Sequence, residues 1–294
     1  MSIMLFFVLA MSEPEYEVEE LTLNEFWIHK TFQKNEYDLV VIGDSRVYRG
    51  ISPKHLAKES GLRVFNLGYS SGGMAEPLFS IAERSIATSV KPVILLGITP
   101  HSLTPVGLSN KQLNRLMGEE HPAEIDSESS GMMRWFEPYR PSDYLKPRSD
   151  SSKFDEFNHY YRNGWCASHS PKDDPARTLP IYRKNFAGNT VDSAAYESLT
   201  KRVKIWTANG ISVFAFRVPS TEQMEVLEDS LSGFDASFLK NQLILSGAKW
   251  LDFNSKDFRS YDGSHLHFES AIEFSERLGK MIHAELSNQS PREN

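Results

Sequence analysis

The sequence predicts an α/β fold, in which helices cover both faces of a mostly parallel, doubly wound sheet. Short runs of branched apolar residues, some of them next to glycine, alternate along the chain with segments of helical periodicity. The chain has 294 residues, of which 40% are hydrophobic and 24% are charged. This composition is typical of a folded protein, and the length suits one large α/β domain or two smaller domains.

Five segments have the composition of strands that are buried on both faces. Two of them, YDLVVIG and PVILLGI, are apolar runs without the alternation that marks a half-exposed strand. The predicted strands are residues 37–43, 62–67, 92–98, 211–218 and 248–253. Because helical segments separate them, we expect parallel strands that are joined by right-handed crossovers.

The segments between the strands carry the spacing and the end signals of helices. Ser52 and Pro53 begin the first helix, and Gly61 ends it. The last helix has a continuous apolar face, as expected for a helix that packs on a sheet. The predicted helices are residues 52–61, 75–88, 194–209, 222–231 and 268–286.

The alternation stops at about residues 119–190, where Pro, Ser, Asp and aromatic residues are frequent. This stretch is too long for a plain connection, so we expect an insertion or lid. Its aromatic residues form either a small core of its own, which we favour, or a wall for stacking sugars; they are Trp135, Phe136, Tyr139, Tyr160, Tyr161 and Trp165. The predicted organisation is an N-terminal segment, residues 1–36, and an α/β domain, residues 37–290, that contains the insertion.

The charge and the cysteine content exclude several classes of function. Lys and Arg total 32 against 39 Asp and Glu, and the net charge of −7 argues against binding to nucleic acid. The single cysteine, Cys166, permits neither an internal disulfide nor a cysteine-based zinc site. The histidines show no metal-ligand spacing either. We therefore expect no metal and no cofactor.

The N-terminus contains an apolar run, IMLFFVLAM, at residues 3–11. It is shorter than the roughly 20 residues that a spanning helix needs, and no basic residue precedes it. It is either a segment that packs on the domain or the end of a membrane anchor that begins upstream. The anchor, which we favour, implies membrane association and an extracytoplasmic, periplasmic location, whereas the packed segment leaves a cytoplasmic location open.

Two motifs with catalytic chemistry lie at the two ends of the domain. Gly43-Asp44-Ser45 follows the first buried strand, at the sheet edge where ligands bind in open α/β folds. Alone it is also ordinary turn chemistry, and Asp44 suits the turn. Asp262 precedes His265 by three residues, so one loop supplies a base and the carboxylate that orients it. His267 is the rival base, which we interpret as structural.

This pair of motifs resembles the SGNH, or GDSL-type, superfamily of esterases and acyltransferases. Two further blocks, residues 64–72 and 93–99, occur in the matching order. The resemblance covers residues 37–286 except the insertion, and it implies a three-layer α/β/α, flavodoxin-like fold. It also implies that Ser45 is the nucleophile, His265 the general base and acid, and Asp262 its orienting carboxylate.

The resemblance is weaker at the oxyanion hole. It implies donors from the Ser45 N–H and from the turn at Ser71 and Gly72, although family members usually have glycine at the position of Ser71. In the third block, Thr99 stands where the family has an oxyanion asparagine. The donor is then the Thr99 hydroxyl, or the role passes to His101 or Ser102. Divergent members that handle cell-surface glycans, such as the alginate O-acetyltransferase and lipoteichoic-acid D-alanylation groups, show a similar departure.

Two arginines near the motifs are candidates for binding a carboxylate or phosphate of a substrate. Arg46 follows the candidate nucleophile, and Arg217 ends a buried strand. The alternative for both is an ion pair with a structural carboxylate.

The expected function is hydrolysis of a small-molecule or glycan ester through an acyl-enzyme. The alternatives are O-acyl transfer to an extracellular polysaccharide and a catalytically degraded binding protein. All three share a geometric expectation, in which Ser45 Oγ lies within hydrogen-bond reach of one His265 nitrogen and Asp262 faces the other. The insertion is expected to cover the carboxyl edge of the sheet.

Overall fold

The computed structural model describes residues 20–33, 37–87, 92–118 and 157–288. The described strands are β1 (Glu20–Leu21), β2 (Leu39–Gly43), β3 (Val64–Gly68), β4 (Val93–Ile98), β5 (Phe157–Tyr161), β6 (Cys166–His169), β7 (Ser212–Arg217) and β8 (Lys249–Trp250). Five of them form one parallel sheet in the order β3-β2-β4-β7-β8. Counted within this sheet, the order is 2-1-3-4-5, which is the flavodoxin-like arrangement. The predicted fold class is confirmed.

The predicted strands all occur, with ends shifted by a few residues. Every residue of β2, β3 and β4 is buried, because helices cover both faces of the sheet and, apart from Asn66, the three strands are apolar. The last strand is shorter than its sequence indicated, since only Lys249–Trp250 pairs with β7.

The described helices form two layers. They are α1 (Leu23–Phe32), α2 (Ser45–Gly50), α3 (Pro53–Ser60), α4 (Leu78–Ser85), α5 (Pro105–Leu108), α6 (Lys111–Gly118), α7 (Leu179–Asn185), α8 (Ser193–Ala208), α9 (Glu222–Ser232), α10 (Ala236–Leu245) and α11 (Phe268–Ser287). On one face of the sheet, α1, α4, α8 and α10 share a core. On the other face, α3 and α11 share the second core. None of these helices has the length and apolar character of a membrane span.

Helix α10 was not predicted from the sequence, for a physical reason. Leu239 and Leu243 are buried, but Phe238, Ile244 and Leu245 are exposed on the same helix. Apolar residues on several sides obscure the periodicity on which the prediction of an amphipathic helix depends.

Part of the N-terminal segment packs into the domain. Phe26 of α1 is fully buried, and Lys30 Nζ donates a hydrogen bond to the carbonyl of Gly164 at 2.8 Å. Strand β1 pairs with β5, and β5 with β6, in a separate antiparallel sheet. Residues 20–33 therefore belong to the packed unit, although the sequence set residues 1–36 apart. The apolar run at residues 3–11 lies outside the described residues.

Three of the aromatic residues that the sequence singled out in the insertion pack on the cores of the α/β domain; they are Tyr160, Tyr161 and Trp165. Tyr160 packs on Phe26, with ring centroids 5.0 Å apart. Trp165 is buried in the second core, stacks on Tyr161 and donates its indole N–H to the carbonyl of Arg49 at 3.0 Å. They are thus core residues, as we favoured from sequence, but the cores are those of the α/β domain and not a small core of the insertion's own. Trp135, Phe136 and Tyr139 lie outside the described residues.

Asn66 in the middle of β3 joins the sheet to helix α2. Its amide donates hydrogen bonds to the carbonyls of Val47 and Ile51, both at 2.8 Å, and its carbonyl accepts one from Gly68 N–H at 2.8 Å. Because the side chain is fully buried, water cannot replace these bonds.

We predict that Asn66→Leu lowers the free energy of unfolding by about 3 kcal/mol, since it leaves buried backbone groups without partners. Urea denaturation measures the change. The control is Asn114→Leu, because the Asn114 amide makes an exposed hydrogen bond to Ser109. Equal stability of the two variants would contradict the role given to Asn66.

Candidate active site

Ser45 follows the carboxyl end of β2, the strand at which the sheet order reverses. Strands β3 and β4 flank β2 on opposite sides, so the connections diverge there, at the point where ligands bind in open α/β sheets. Gly43 permits the tight turn before Ser45, because a Cβ there would lie 2.2 Å from Val47 Cγ2 and 2.7 Å from the carbonyl oxygen of Gly97. Ser45 is thus the first residue of α2, at an edge where ligands bind in this type of fold.

Asp44 fixes this turn. Its carboxylate accepts a hydrogen bond from Arg46 N–H at 2.9 Å, which caps α2, and a second one from the Thr99 hydroxyl at 2.5 Å. The side chain is buried. Asp44 therefore links the turn after β2 to the turn after β4, in keeping with the turn-forming role that the sequence suggested.

The Asp-x-x-His segment forms a compact loop, which we call the base loop (residues 260–266). An antiparallel bridge between Ser260 and Leu266 closes it. One oxygen of Asp262 accepts hydrogen bonds from the N–H groups of Ser264 and His265, at 2.8 and 2.7 Å. The spacing thus places the carboxylate against its own turn and leaves the second oxygen for the imidazole.

Asp262, His265 and Ser45 form one continuous hydrogen-bonded chain. Asp262 Oδ2 lies 2.8 Å from His265 Nδ1, and His265 Nε2 lies 2.9 Å from Ser45 Oγ. The structure therefore brings together the three side chains that the sequence selected. In this arrangement the imidazole can take the serine proton, and the carboxylate can stabilise the imidazolium that results.

The electrostatics keep Asp262 ionised. Burial raises the pKa of this carboxyl, but the charge of His265 and the hydrogen bonds from His265 and Ser264 outweigh it, so the pKa falls below its usual value. The Arg177 guanidinium also lies 3.7 Å from Asp262 Oδ2. Asp262 is therefore an anion, and a carboxylate that orients an imidazole and stabilises its cation must be one.

The insertion supports the base loop, which the sequence did not reveal. The backbone N–H and the hydroxyl of Thr178 both donate to the carbonyl of Asp262, at 3.2 and 2.9 Å. Gly263 has φ 95°, and a Cβ there would lie 2.1 Å from the carbonyl oxygen of Pro175. The described end of the insertion thus lies at the carboxyl edge of the sheet, where it holds the base loop.

The turn after β3 is bonded to Gly43, two residues before Ser45. Tyr69 N–H donates to the carbonyl of Gly43 at 2.9 Å, so the turn lies directly against the residues before Ser45. Gly72 N–H is already donated to the carbonyl of Tyr69, also at 2.9 Å. Within the described residues, the N–H groups of Ser45 and Ser71 have no acceptor. Ser71 and Gly72 were the two residues expected to supply an oxyanion donor from this turn. The N–H of Ser71 is available for that role, whereas the N–H of Gly72 is already bonded.

Ser71 adopts a left-handed backbone conformation, with φ 52°. Such a conformation is uncommon for residues other than glycine. Glycine would adopt it without the steric cost that the Ser71 side chain adds.

The expectation that Thr99 is an oxyanion donor is wrong. Its hydroxyl donates to Asp44, and its oxygen accepts from Ser102 N–H at 3.2 Å, so the proton is already committed. The Ser102 hydroxyl is committed as well, to the carbonyl of Thr99 at 2.7 Å. The His101 ring lies edge-on to Phe186 at 6.4 Å, and burial lowers the pKa of His101.

Arg46 is not the substrate-binding residue that the sequence suggested. Its guanidinium is enclosed and binds both carboxylate oxygens of Glu228, at 3.0 and 2.6 Å. Arg217 pairs in the same way with Asp229, at 3.0 and 2.7 Å. Both arginines follow the alternative that we left open, which is an ion pair with a structural carboxylate.

His267 lies outside the Ser45–His265–Asp262 chain. It is the residue before α11, and burial lowers the pKa of its imidazole. Among the described residues, no group of three or more His, Cys, Asp or Glu side chains could hold a metal ion.

Comparisons with known proteins add a likeness of fold. No family model and no curated protein matches the chain. Among solved structures, it is similar to a candidate acylhydrolase from Bacteroides fragilis NCTC 9343, with a TM-score of 0.42 and 10% identity over 90% of this chain and 97% of that one. At this identity and TM-score, no conclusion about chemistry follows from the likeness.

We predict that Thr99→Val lowers the free energy of unfolding by about 2 kcal/mol, because a buried carboxylate loses a charge-assisted hydrogen bond. Urea denaturation measures the loss. Thr99→Ser is the matched control, since it keeps the hydroxyl that Asp44 accepts. A serine variant as unstable as the valine variant would show that the methyl group, and not the hydrogen bond, matters.

A second prediction concerns acid stability. A carboxyl group with a lowered pKa in the folded state stabilises the fold above its unfolded pKa of about 3.9, and this contribution is lost as the pH falls below that value. We therefore expect the unfolding free energy of the parent to fall more steeply below about pH 4 than that of Asp262→Asn. Chemical denaturation at a series of pH values tests this; parallel curves would contradict it.

Proposed function

We propose that the protein is a serine ester hydrolase that works through an acyl-enzyme. The observation that carries the proposal is the chain of contacts from Ser45 through His265 to Asp262, at 2.9 and 2.8 Å. The sequence resemblance to the SGNH superfamily supports the same chemistry. The complete chain of contacts favours catalysis over a degraded, purely binding site.

In the proposed reaction, Ser45 Oγ attacks the ester carbonyl carbon while His265 Nε2 takes the hydroxyl proton. The carbonyl oxygen becomes an oxyanion, for which the N–H groups of Ser45 and Ser71 are the proposed donors. The tetrahedral intermediate collapses when the C–O bond of the alcohol breaks and His265 returns the proton to the leaving alkoxide. An acyl group then remains on Ser45.

In the second half-reaction, His265 takes a proton from water, and the hydroxide attacks the acyl carbonyl. Collapse releases the carboxylic acid and restores the Ser45 hydroxyl. Transfer to a glycan hydroxyl would share the first half-reaction. No contact within the described residues favours a glycan acceptor, so water is the acceptor we propose.

We predict that Ser45→Ala and His265→Ala each lower the turnover of p-nitrophenyl acetate by at least about 10³-fold. The first variant lacks the attacking hydroxyl, and the second lacks the base that takes its proton. The double variant should be little worse than either single variant, since the two side chains act as one unit. Steady-state kinetics with purified protein measures all three.

His267→Ala is the matched control, because it removes a neighbouring histidine that makes no contact with Ser45. Its turnover should stay close to that of the parent. A fluorophosphonate probe should label the parent and fail to label Ser45→Ala. Unchanged turnover in Ser45→Ala, together with an unlabelled parent, would reject the serine-hydrolase proposal.

A further inference from the structure

A buried ion pair lies immediately behind the residues of the proposed reaction. Arg46 follows Ser45 on α2, and its guanidinium binds both oxygens of Glu228 on α9. The side chain of Arg46 is 1% exposed and that of Glu228 is 0% exposed. The pair therefore joins the start of α2 to a helix 182 residues away in sequence.

The same guanidinium reaches the base loop. Arg46 Nε donates to the hydroxyl of Ser264 at 2.9 Å, and Ser264 stands between Asp262 and His265. The Ser264 oxygen also lies 2.6 Å from the Tyr182 hydroxyl, and the Arg46 guanidinium lies over the Tyr182 ring, 5.2 Å from its centroid. Arg46, the residue after Ser45, thus contacts the base loop directly through its side chain.

A buried ion pair is a poor source of stability, because both charges lose their hydration and an apolar replacement often does as well. What this pair supplies is orientation. Two carboxylate oxygens fix the plane of the guanidinium, and the remaining Nε–H then points at Ser264. A lysine could not make all three contacts from one nitrogen in a fixed plane.

We infer that Arg46, held by Glu228, is a positioning residue that sets the distance between Ser45 and His265 through Ser264. This inference rests on the proposed hydrolase function. Arg46 contacts neither substrate nor the reacting atoms; it fixes the base loop relative to α2. Glu228 fixes Arg46, and Tyr182 holds Ser264 from the side of the insertion.

The test removes the link and leaves both charges in place. Ser264→Ala deletes the acceptor of Arg46 Nε but keeps the Ser264 backbone N–H that binds Asp262. The matched control is Ser275→Ala, which also deletes a fully buried serine hydroxyl, one that bonds Ala271 and Ser52 away from the base loop. Arg46→Lys is the second variant, because it keeps the charge and loses the planar geometry.

The measurements are kcat and KM for p-nitrophenyl acetate, the rate of fluorophosphonate labelling and the melting temperature. We expect Ser264→Ala to lower kcat and the labelling rate by roughly 10-fold with KM unchanged, since a small displacement of reacting groups is costly. Arg46→Lys should lower kcat at least as much. Ser275→Ala should lower the melting temperature comparably and leave kcat unchanged.

The inference would be overturned, with the proposed function intact, if kcat of Ser264→Ala equalled that of the parent. It would also be overturned if Ser264→Ala raised KM without lowering kcat. A fall in kcat that Ser275→Ala matches would also overturn it, because the loss would then follow stability. If the parent itself neither hydrolyses p-nitrophenyl acetate nor reacts with fluorophosphonate, the proposed function fails and the inference fails with it.

Discussion

The hydrogen bond between His265 Nε2 and Ser45 Oγ joins two residues that are 220 positions apart in sequence. No local structure can make this contact. It requires that the carboxyl end of β2 and the loop before α11 meet at one edge of the sheet. The parallel sheet provides the edge, and the order β3-β2-β4-β7-β8 places Ser45 where the connections diverge.

Buried polar contacts join the turns at this edge to one another. Asp44 caps α2 and accepts the Thr99 hydroxyl, so the turns after β2 and β4 are bonded to each other. The turn after β3 bonds to Gly43 through Tyr69. A bond between a buried donor and a buried acceptor is directional, and its loss leaves both groups unsatisfied. Such contacts therefore fix positions that apolar contacts would only restrain.

The Thr99 hydroxyl makes one of these contacts. A side chain at position 99 that donates to Asp44 supports the turn that carries Ser45. The proposed oxyanion hole is then made of backbone N–H groups, from Ser45 and Ser71. The Thr99 side chain thus holds a turn in place, and the described backbone offers the two N–H groups that we propose as donors.

The sequence alone determined the five strands of the parallel sheet, most of the helices that cover this sheet and the three residues of the Ser45–His265–Asp262 chain. These features depend on local patterns: apolar runs for strands, a glycine-flanked turn, and the three-residue spacing that puts Asp262 beside His265. Only the tertiary structure decided which groups accept hydrogen bonds from the Thr99 hydroxyl and the Gly72 N–H. It also decided that Arg46 pairs with Glu228 and is not free to bind a substrate. Those outcomes depend on partners from other elements, and a polar side chain carries no local sign of which distant group will satisfy it once both are buried.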